Sequence, residues 1–390
     1  MKKQLVQAFR LMSVVASLLS LMPLMAAPAS AQEPYKIGFF SPTTGFAAAD
    51  GTSALHAAQL AVRFINEAGG VNGHPLELIH YDDAVKPDQA VSIAKKLIEQ
   101  DKVVAAISGS YSSSTRAAAP VFQDAGMVMV AAYAIHPEIT ATGDKIFRVG
   151  TPAMVQGGVG AELAINVLGA KKIAMLTMDN DFGVSLGEGF KKRAAELAGV
   201  EIVLEEKYPL GEEDFRPMIG KIKAVEPDVV YASGYYAEAA NFVSQAADEG
   251  LDVQILGQEG YDSPKFLELA GEAAEGVIIT TDLDLDSERE IVQRFLTEYE
   301  AEYGLAADMV GASSFDAVQV AAYALREAGT DPEAMAAAIA GLTDFENAAT
   351  GPFMRYTDTR DVVRPITPQI VREGAFHFYA VFTEPELITP

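Results

Sequence analysis

The sequence predicts an α/β fold of two doubly wound parallel-sheet lobes, joined at a hinge and facing each other across a cleft. Three observations carry this. Strand-like and helix-like segments alternate almost throughout the 390 residues. The strand-like segments are short, continuous apolar runs such as Val103–Ile107 and Lys172–Thr177, the pattern of strands covered on both faces. The alternation also falls into two runs parted near Gly150-Thr-Pro152. The first run has too few strands to complete a lobe before that point, so it regains elements after Val277 and the chain crosses between lobes more than once.

The elements follow in order. Tyr35–Phe40 is a strand, and Gly51–Ala68 an amphipathic helix stopped by Gly69-Gly70. Leu76–Tyr81 is a strand. Pro87 sits in the first turn of a helix running to Gln100, where its missing N–H costs nothing. Val103–Ile107 and Met127–Ala131 are buried strands around the Ala-rich helix Thr115–Ala125, and Lys145–Val149 is another strand. Helices Met154–Leu168 and Gly183–Ala198 stop at Gly169 and Gly199 and flank the strand Lys172–Thr177. Then come strand Glu201–Tyr208, helix Phe215–Ala224, strand Asp228–Ser233, helix Ala237–Glu249 and strand Val253–Leu256. Helix Ser263–Ala270, strand Gly276–Thr280 and helices Ser287–Tyr303, Met309–Ala328 and Pro332–Ala340 follow, and the tail from Gly351 reads as strands and turns.

In such sheets a ligand sits beyond the carboxyl ends of the strands. Ser108-Gly-Ser-Tyr-Ser-Ser-Ser114 occupies such an end and feeds a helix N-terminus, where free N–H groups and the helix dipole favour an anion. One capping serine among ordinary loop residues explains the same segment.

Composition narrows the function. Lys2, Lys3 and Arg10, the apolar run Leu11–Leu21 and Ala29-Ser30-Ala31 have the order of a cleavable secretory signal over residues 1–31. No later stretch approaches a membrane span, so the mature chain is expected to be soluble. There is no cysteine, which excludes disulfides, thiolate metal sites, Cys nucleophiles and a lipidated N-terminal Cys. These features suit the periplasm of a Gram-negative bacterium. The formal charge is −25, and removing the three basic residues of the signal makes it more negative still. Nucleic acid and anionic membranes are therefore poor partners.

Catalytic patterns are missing. No G-x-S-x-G elbow, Walker A loop or H-x-x-x-H pair occurs, and Asp181-Phe182-Gly183 stands alone without other kinase elements. Asp282-Leu-Asp-Leu-Asp286 lacks the glycine and closing glutamate of a calcium loop and reads as a solvated face after a strand. Tyr81-Asp82-Asp83 reads as loop scaffolding that accepts backbone N–H bonds. No cofactor or metal is implied.

Eight short motifs in order carry a resemblance. They are Glu67-Ala-Gly-Gly-Val-Asn-Gly73, Tyr81-Asp-Asp83, Pro87-x-Gln-Ala90, Ser112-Ser-Ser-Thr115, Pro137-Glu-Ile-Thr140, Asp181-Phe-Gly183, Gly234-Tyr235 and Gly257-Gln-Glu-Gly260. Together they resemble the type I periplasmic binding proteins of branched-chain amino acid ABC transporters, the leucine-binding protein family. The resemblance implies two lobes joined by three crossovers: residues 32–151 with 278–350, and 152–277 with 351–390. It implies that Ser112, with Ser113 beside it, holds an α-carboxylate and that Glu259 holds an α-ammonium. Phe182 and Tyr235 fall on aromatics lining the cleft, and of Tyr235 and Tyr236 only one is expected to face it. Burial of a zwitterion requires both charges to be met, which fits this pairing.

Three positions depart from the family pattern: Asp50 where an aromatic is usual, Tyr133 where the residue is smaller, and Ile135 where a hydroxyl is usual. Ile135 keeps only its backbone N–H as a donor. Asp50 either faces the cleft as a second negative charge or serves as a turn or N-cap residue. The function expected is a non-enzymatic, monomeric receptor that delivers a small zwitterionic amino acid to membrane permease subunits. The alternatives are an amide, urea-like or aromatic acid ligand, a sensory receptor module, or a hydrolase built on the serine loop with His136 as base.

Overall fold

Apolar strands that need cover on both faces assemble into two main sheets in the computed structural model, which describes residues 32–390; the expected signal segment lies outside the described residues. The first sheet holds β1 (Tyr35–Ser41), β2 (Leu76–Asp82), β3 (Ala105–Ser108), β4 (Met129–Ala131) and β5 (Ile146–Arg148). Its order is β2-β1-β3-β4-β5 with every pair parallel.

The second sheet is built from β6 (Lys172–Met178), β7 (Glu201–Tyr208), β8 (Val229–Ser233), β9 (Gln254–Gln258) and β10 (Ile278–Thr280). A three-stranded antiparallel sheet follows, of β11 (Thr343–Phe345), β12 (Phe353–Tyr356) and β13 (Val362–Val363). The chain then returns to the second sheet as β14 (Gln369–Arg372) and β15 (Ala375–Phe378), giving the order β15-β14-β10-β9-β8-β6-β7 with an antiparallel edge.

Two expected boundaries move. Ile278–Thr280 pairs parallel to β9, so the return to the first lobe comes after β10 and not at residue 278. Residues 353–363 pair with β11 and place Tyr356 edge-on against Phe147 of β5, so this stretch of the tail belongs with the first lobe. Both shifts arise because a strand of two to four residues takes its sheet from distant pairing partners.

Helices also shift by local chemistry. The helix after β3 starts at Ser112 and not at Thr115, which brings Ser112, Ser113 and Ser114 into its first turn. The helix after β1 starts at Ala48, three residues before the glycine expected to open it. Helix Met309–Ala328 is buried along most of its length, packed on helix Ala48–Glu67, as its all-round apolar sequence requires. No helix among the described residues is long and apolar enough to cross a membrane.

The three crossovers are residues 149–152, 281–289 and 364–368, and buried polar groups bind them together. The Asp282 carboxylate accepts the Thr151 backbone N–H at 2.9 Å and the Thr151 hydroxyl at 2.6 Å. The Arg364 guanidinium donates to the carbonyls of Val149 (3.3 Å), Asp282 (3.5 Å) and Thr350. Asp282 is therefore no solvated face: it is 1% exposed and links two of the three hinge strands. Asp82 does scaffold its loop, accepting the N–H groups of Thr43 and Ala84.

Asp282→Ala strands two buried donors of Thr151. It is expected to cost about 2–3 kcal/mol in urea unfolding at neutral pH. A variant with the wild-type midpoint and slope would show that the crossovers hold together without this carboxylate.

Candidate functional site

Each sheet reverses its strand order at one point: β1 lies between β2 and β3, and β6 between β7 and β8. A crevice opens at the carboxyl ends of strands on either side of such a reversal. The segments leaving β1, β3 and β4 in the first lobe meet those leaving β6, β8 and β9 in the second. They enclose a small cavity of about 20 Å³ lined by Asp50, Tyr111, Ser112, Tyr133, Phe182, Tyr235, Glu259, Gly260, Met309 and Val310.

Six of the eight residues expected from sequence line this cavity: Asp50, Ser112, Tyr133, Phe182, Tyr235 and Glu259. Ser113 is half-buried on the same helix turn and does not line it. Ile135 lies wholly buried outside the lining, and its backbone N–H, expected to be free for a ligand, donates to the Ser112 hydroxyl at 3.3 Å. The Ser112 hydroxyl thus accepts one bond and keeps its proton free to point elsewhere.

Ser112 is the first residue of its helix, with Tyr111 as N-cap, so the helix N-terminus faces the cavity. Two other serines are structural: Ser108 bonds Thr115 at 2.6 Å, and Ser110 donates to Asp83 at 2.7 Å. Glu259 opens the single turn after β9 and is 2% exposed. One oxygen accepts from Gln156 Nε2 at 2.5 Å, and Gln156 also reaches the Thr151 carbonyl at 3.1 Å. The carboxylate is thereby tied to the first crossover. Burial and then Asp282 push the Glu259 carboxyl well above its ordinary pKa, with the Gln156 bond working against them.

Asp50 faces the cleft and is no N-cap; that position is Ala47. Gly51 explains how it gets there. A Cβ at Gly51 would stand 2.1 Å from the Pro42 carbonyl oxygen, so only glycine lets the first helical turn press against the loop after β1. Asp50 Oδ2 accepts the Tyr111 hydroxyl at 2.7 Å, while Oδ1 is buried with no hydrogen-bond partner. Burial first, then Asp308, pushes Asp50 up to about 8. Asp262 rises to about 7 and Asp308 to about 6, each chiefly by burial.

Aromatic rings close the cavity from both lobes. Tyr111 of the first lobe stacks on Tyr235 of the second at 4.1 Å and 10°, and Phe182 stacks on the same Tyr235 at 4.8 Å. Tyr133 meets Tyr111 edge-on and donates to the Gly109 carbonyl at 2.6 Å. Tyr236 is also at the lobe interface but outside the cavity, donating to the Phe46 carbonyl at 2.7 Å.

A wider cleft of about 480 Å³ opens beside Phe182, lined by His136, Asp179, Asn180 and Asp181 among others. Arg116 of the first lobe bridges it, reaching Asp181 at 3.1 Å. His136 lies here, its Nδ1 accepting the Glu138 N–H, and among the described residues no hydrogen bond joins it to the serine loop.

Four lining residues escaped the sequence reading. Tyr111 sits inside the serine loop and Gly260 directly after Glu259, and neither adds to the serine cluster or the charge that marks its neighbours. Met309 and Val310 begin a helix capped by Asp308, which accepts the Gly311 N–H at 2.7 Å and the Ser53 hydroxyl at 2.6 Å. Only that cap hinted at a helix end in the cleft.

Known proteins share this arrangement. The leucine-, isoleucine-, valine-, threonine-, and alanine-binding protein of Pseudomonas aeruginosa is 32% identical over 314 residues, covering 79% of this chain and 83% of its own. The branched-chain amino acid transporter substrate binding protein LivJ of Streptococcus pneumoniae, solved in complex with isoleucine, superposes with a TM-score of 0.82 at 27% identity, covering 89% of this chain and 98% of its own. A solute binding protein of an ABC transporter from Rhodopseudomonas palustris, in complex with 3,4-dihydroxy benzoic acid, gives a TM-score of 0.82 at 28% identity over 90% of this chain and 97% of its own. A family model described as periplasmic binding protein matches residues 34–375. With its two lobes, three crossovers and interlobe cavity, the chain belongs to the periplasmic binding protein family, of type I fold, alongside the solute-binding proteins of branched-chain amino acid ABC transporters.

Proposed function

We propose that this chain is the periplasmic substrate-binding component of an ABC importer and holds a small zwitterionic α-amino acid between its lobes. One observation carries the reading: Ser112 at a helix N-terminus and Glu259 approach one cavity from opposite lobes. The first suits an α-carboxylate and the second an α-ammonium. The work done is capture, delivery to the membrane permease and release, with no bond broken in the ligand. Export through the amino-terminal signal puts the protein in the periplasm.

An amino acid exceeds the 20 Å³ between the closed lobes. The lobes must part and the Tyr111–Tyr235 stack must open to admit it. A ligand that touches both lobes only when they close then draws the population toward closure. The three stacked rings favour a second reading, an aromatic carboxylate lying between Tyr111 and Tyr235. The two part at Glu259, which an aromatic acid without an ammonium leaves unpaired.

Mass spectrometry of the ligand released on denaturation is expected to give an α-amino acid, and an aromatic acid alone would sink the first reading. Glu259→Ala is expected to weaken amino-acid binding by at least about 2–3 kcal/mol in calorimetry, because an ammonium loses its buried partner. Unchanged affinity would remove Glu259 from the site.

The raised Glu259 carboxyl also sets a pH dependence. Below its pKa in the free protein it must shed a proton to meet an ammonium, so affinity rises with pH and levels off above that pKa. Calorimetry in phosphate and in Tris should report proton release at the lower pH. Equal apparent enthalpies after correction for dilution, at every pH, would contradict this.

A further inference from the structure

Resting on the amino-acid reading, the cavity presents one acidic group more than an α-amino acid can satisfy. Glu259 takes the ammonium from the second lobe. Asp50 then remains on the first lobe, 3% exposed, with Oδ1 free of any hydrogen bond and only the Tyr111 hydroxyl on Oδ2. Burial holds a proton on this carboxyl near neutral pH, and a positive group brought by the ligand is what lets it ionise there.

The surroundings say what that partner is. No lysine, arginine or histidine lines the cavity, and among the described residues none forms an ion pair with Asp50. Arg148, the cation that acts on Glu259, is committed to Asp361 at 2.7 Å. The charges acting most on Asp50 are Asp308 and Asp262, both negative, whereas those on Glu259 are Asp282, Asp262 and Arg148. Asp50 on the first lobe and Glu259 on the second are two acidic poles of the lining, with no cation lining the cavity beside either. Around the Asp50 pole stand Tyr111, Tyr133 and, across the stack, Tyr235. The Tyr111 ring face is taken up by its stack on Tyr235, so what reaches Asp50 from these rings is the Tyr111 hydroxyl, a neutral donor, and no positive charge.

We propose that Asp50 is a specificity-determining residue that binds a second cationic nitrogen on the ligand's side chain. The protein then selects short basic amino acids over the aliphatic ones. A short side chain is required because Tyr133 and Tyr111 wall the cavity close to Asp50.

The test compares 2,4-diaminobutyrate with norvaline, its isostere in which a methyl replaces the side-chain ammonium, and with propane-1,3-diamine, which lacks the carboxylate. Binding of each is measured by calorimetry to the full mature chain and to Asp50→Asn. Diaminobutyrate is expected to bind about tenfold or more tighter than norvaline, and Asp50→Asn to erase that ratio. Should Asp50→Asn fail to fold, the wild-type ratio alone still decides. Norvaline binding as tightly as diaminobutyrate would overturn the proposal and leave the amino-acid reading standing. Binding of the diamine but not of either amino acid, lost in Asp50→Asn, would support the Asp50 assignment and refute the amino-acid reading. Binding of none of the three would overturn both.

Discussion

The carboxylate of Asp282 holds the architecture together. Two lobes built from separate sheets have no reason to present their strand ends to each other unless the connections between them are fixed. Asp282, on the second crossover, grips Thr151 on the first by its N–H and its hydroxyl. Arg364, on the third, grips the carbonyls of the other two. Hydrogen bonds to ionised groups are among the stronger ones in proteins, and these are wholly buried. Arg148, at the end of β5, adds a buried pair with Asp361 in the loop before β13. Such groups gain little net stability over apolar packing, but removing one partner is severe, so they fix geometry more than they add stability. The bond from Gln156 to both Thr151 and Glu259 carries this order into the cavity: the hinge and the acid of the second lobe share a side chain.

Much of the fold was legible because it rests on local signals. Apolar runs with helices ending at Gly169 or Gly199 give strand and helix in the right order, and alternation gives parallel sheets. What was not legible depends on partners far along the chain. β10 has three residues, and nothing in Ile278–Thr280 says which sheet will pair with it. Asp282 read as solvated because the group it binds lies 131 residues away. The site was legible where family motifs mark it, at Ser112 and Glu259, and where a departure from the pattern marks it, at Asp50. Met309 and Val310 come from a returning segment whose place in the cleft is set by packing of helix Met309–Ala328 on helix Ala48–Glu67. Ile135 was misjudged for the same reason: its N–H is taken by a side chain 23 residues away.

Three buried acids in and behind the cleft follow one energetic logic. Asp50 at about 8, Asp262 at about 7 and Asp308 at about 6 are all raised chiefly by burial. The folded protein holds protons that the unfolded chain gives up near pH 4, so these groups favour folding fully only below that pH. Their contribution is lost as pH rises through the folded values. Of the three only Asp50 lines the cavity, so its burial is the one that positive charge entering with a ligand can relieve. Ligand binding and relief of that burden are then one event.

Closure without a ligand must also be weak, or the ligand could not control it. The contacts that join the lobes around the cavity are individually small. A stacked aromatic pair such as Tyr111–Tyr235 contributes about 0.5–1.5 kcal/mol beyond its burial. The Arg116–Asp181 bridge is solvent-facing and worth at most about 1 kcal/mol. The Tyr236 hydroxyl adds one bond to the Phe46 carbonyl, worth about 1 kcal/mol. Against these stand the buried carboxyls that closure strips of water. Contacts this small leave the population to be decided by a ligand with differential affinity for the closed form. Tyr111 sits at the centre of that balance: it joins the lobes by stacking on Tyr235 and occupies one oxygen of Asp50, so the ligand that opens its stack gains access to the acid behind it.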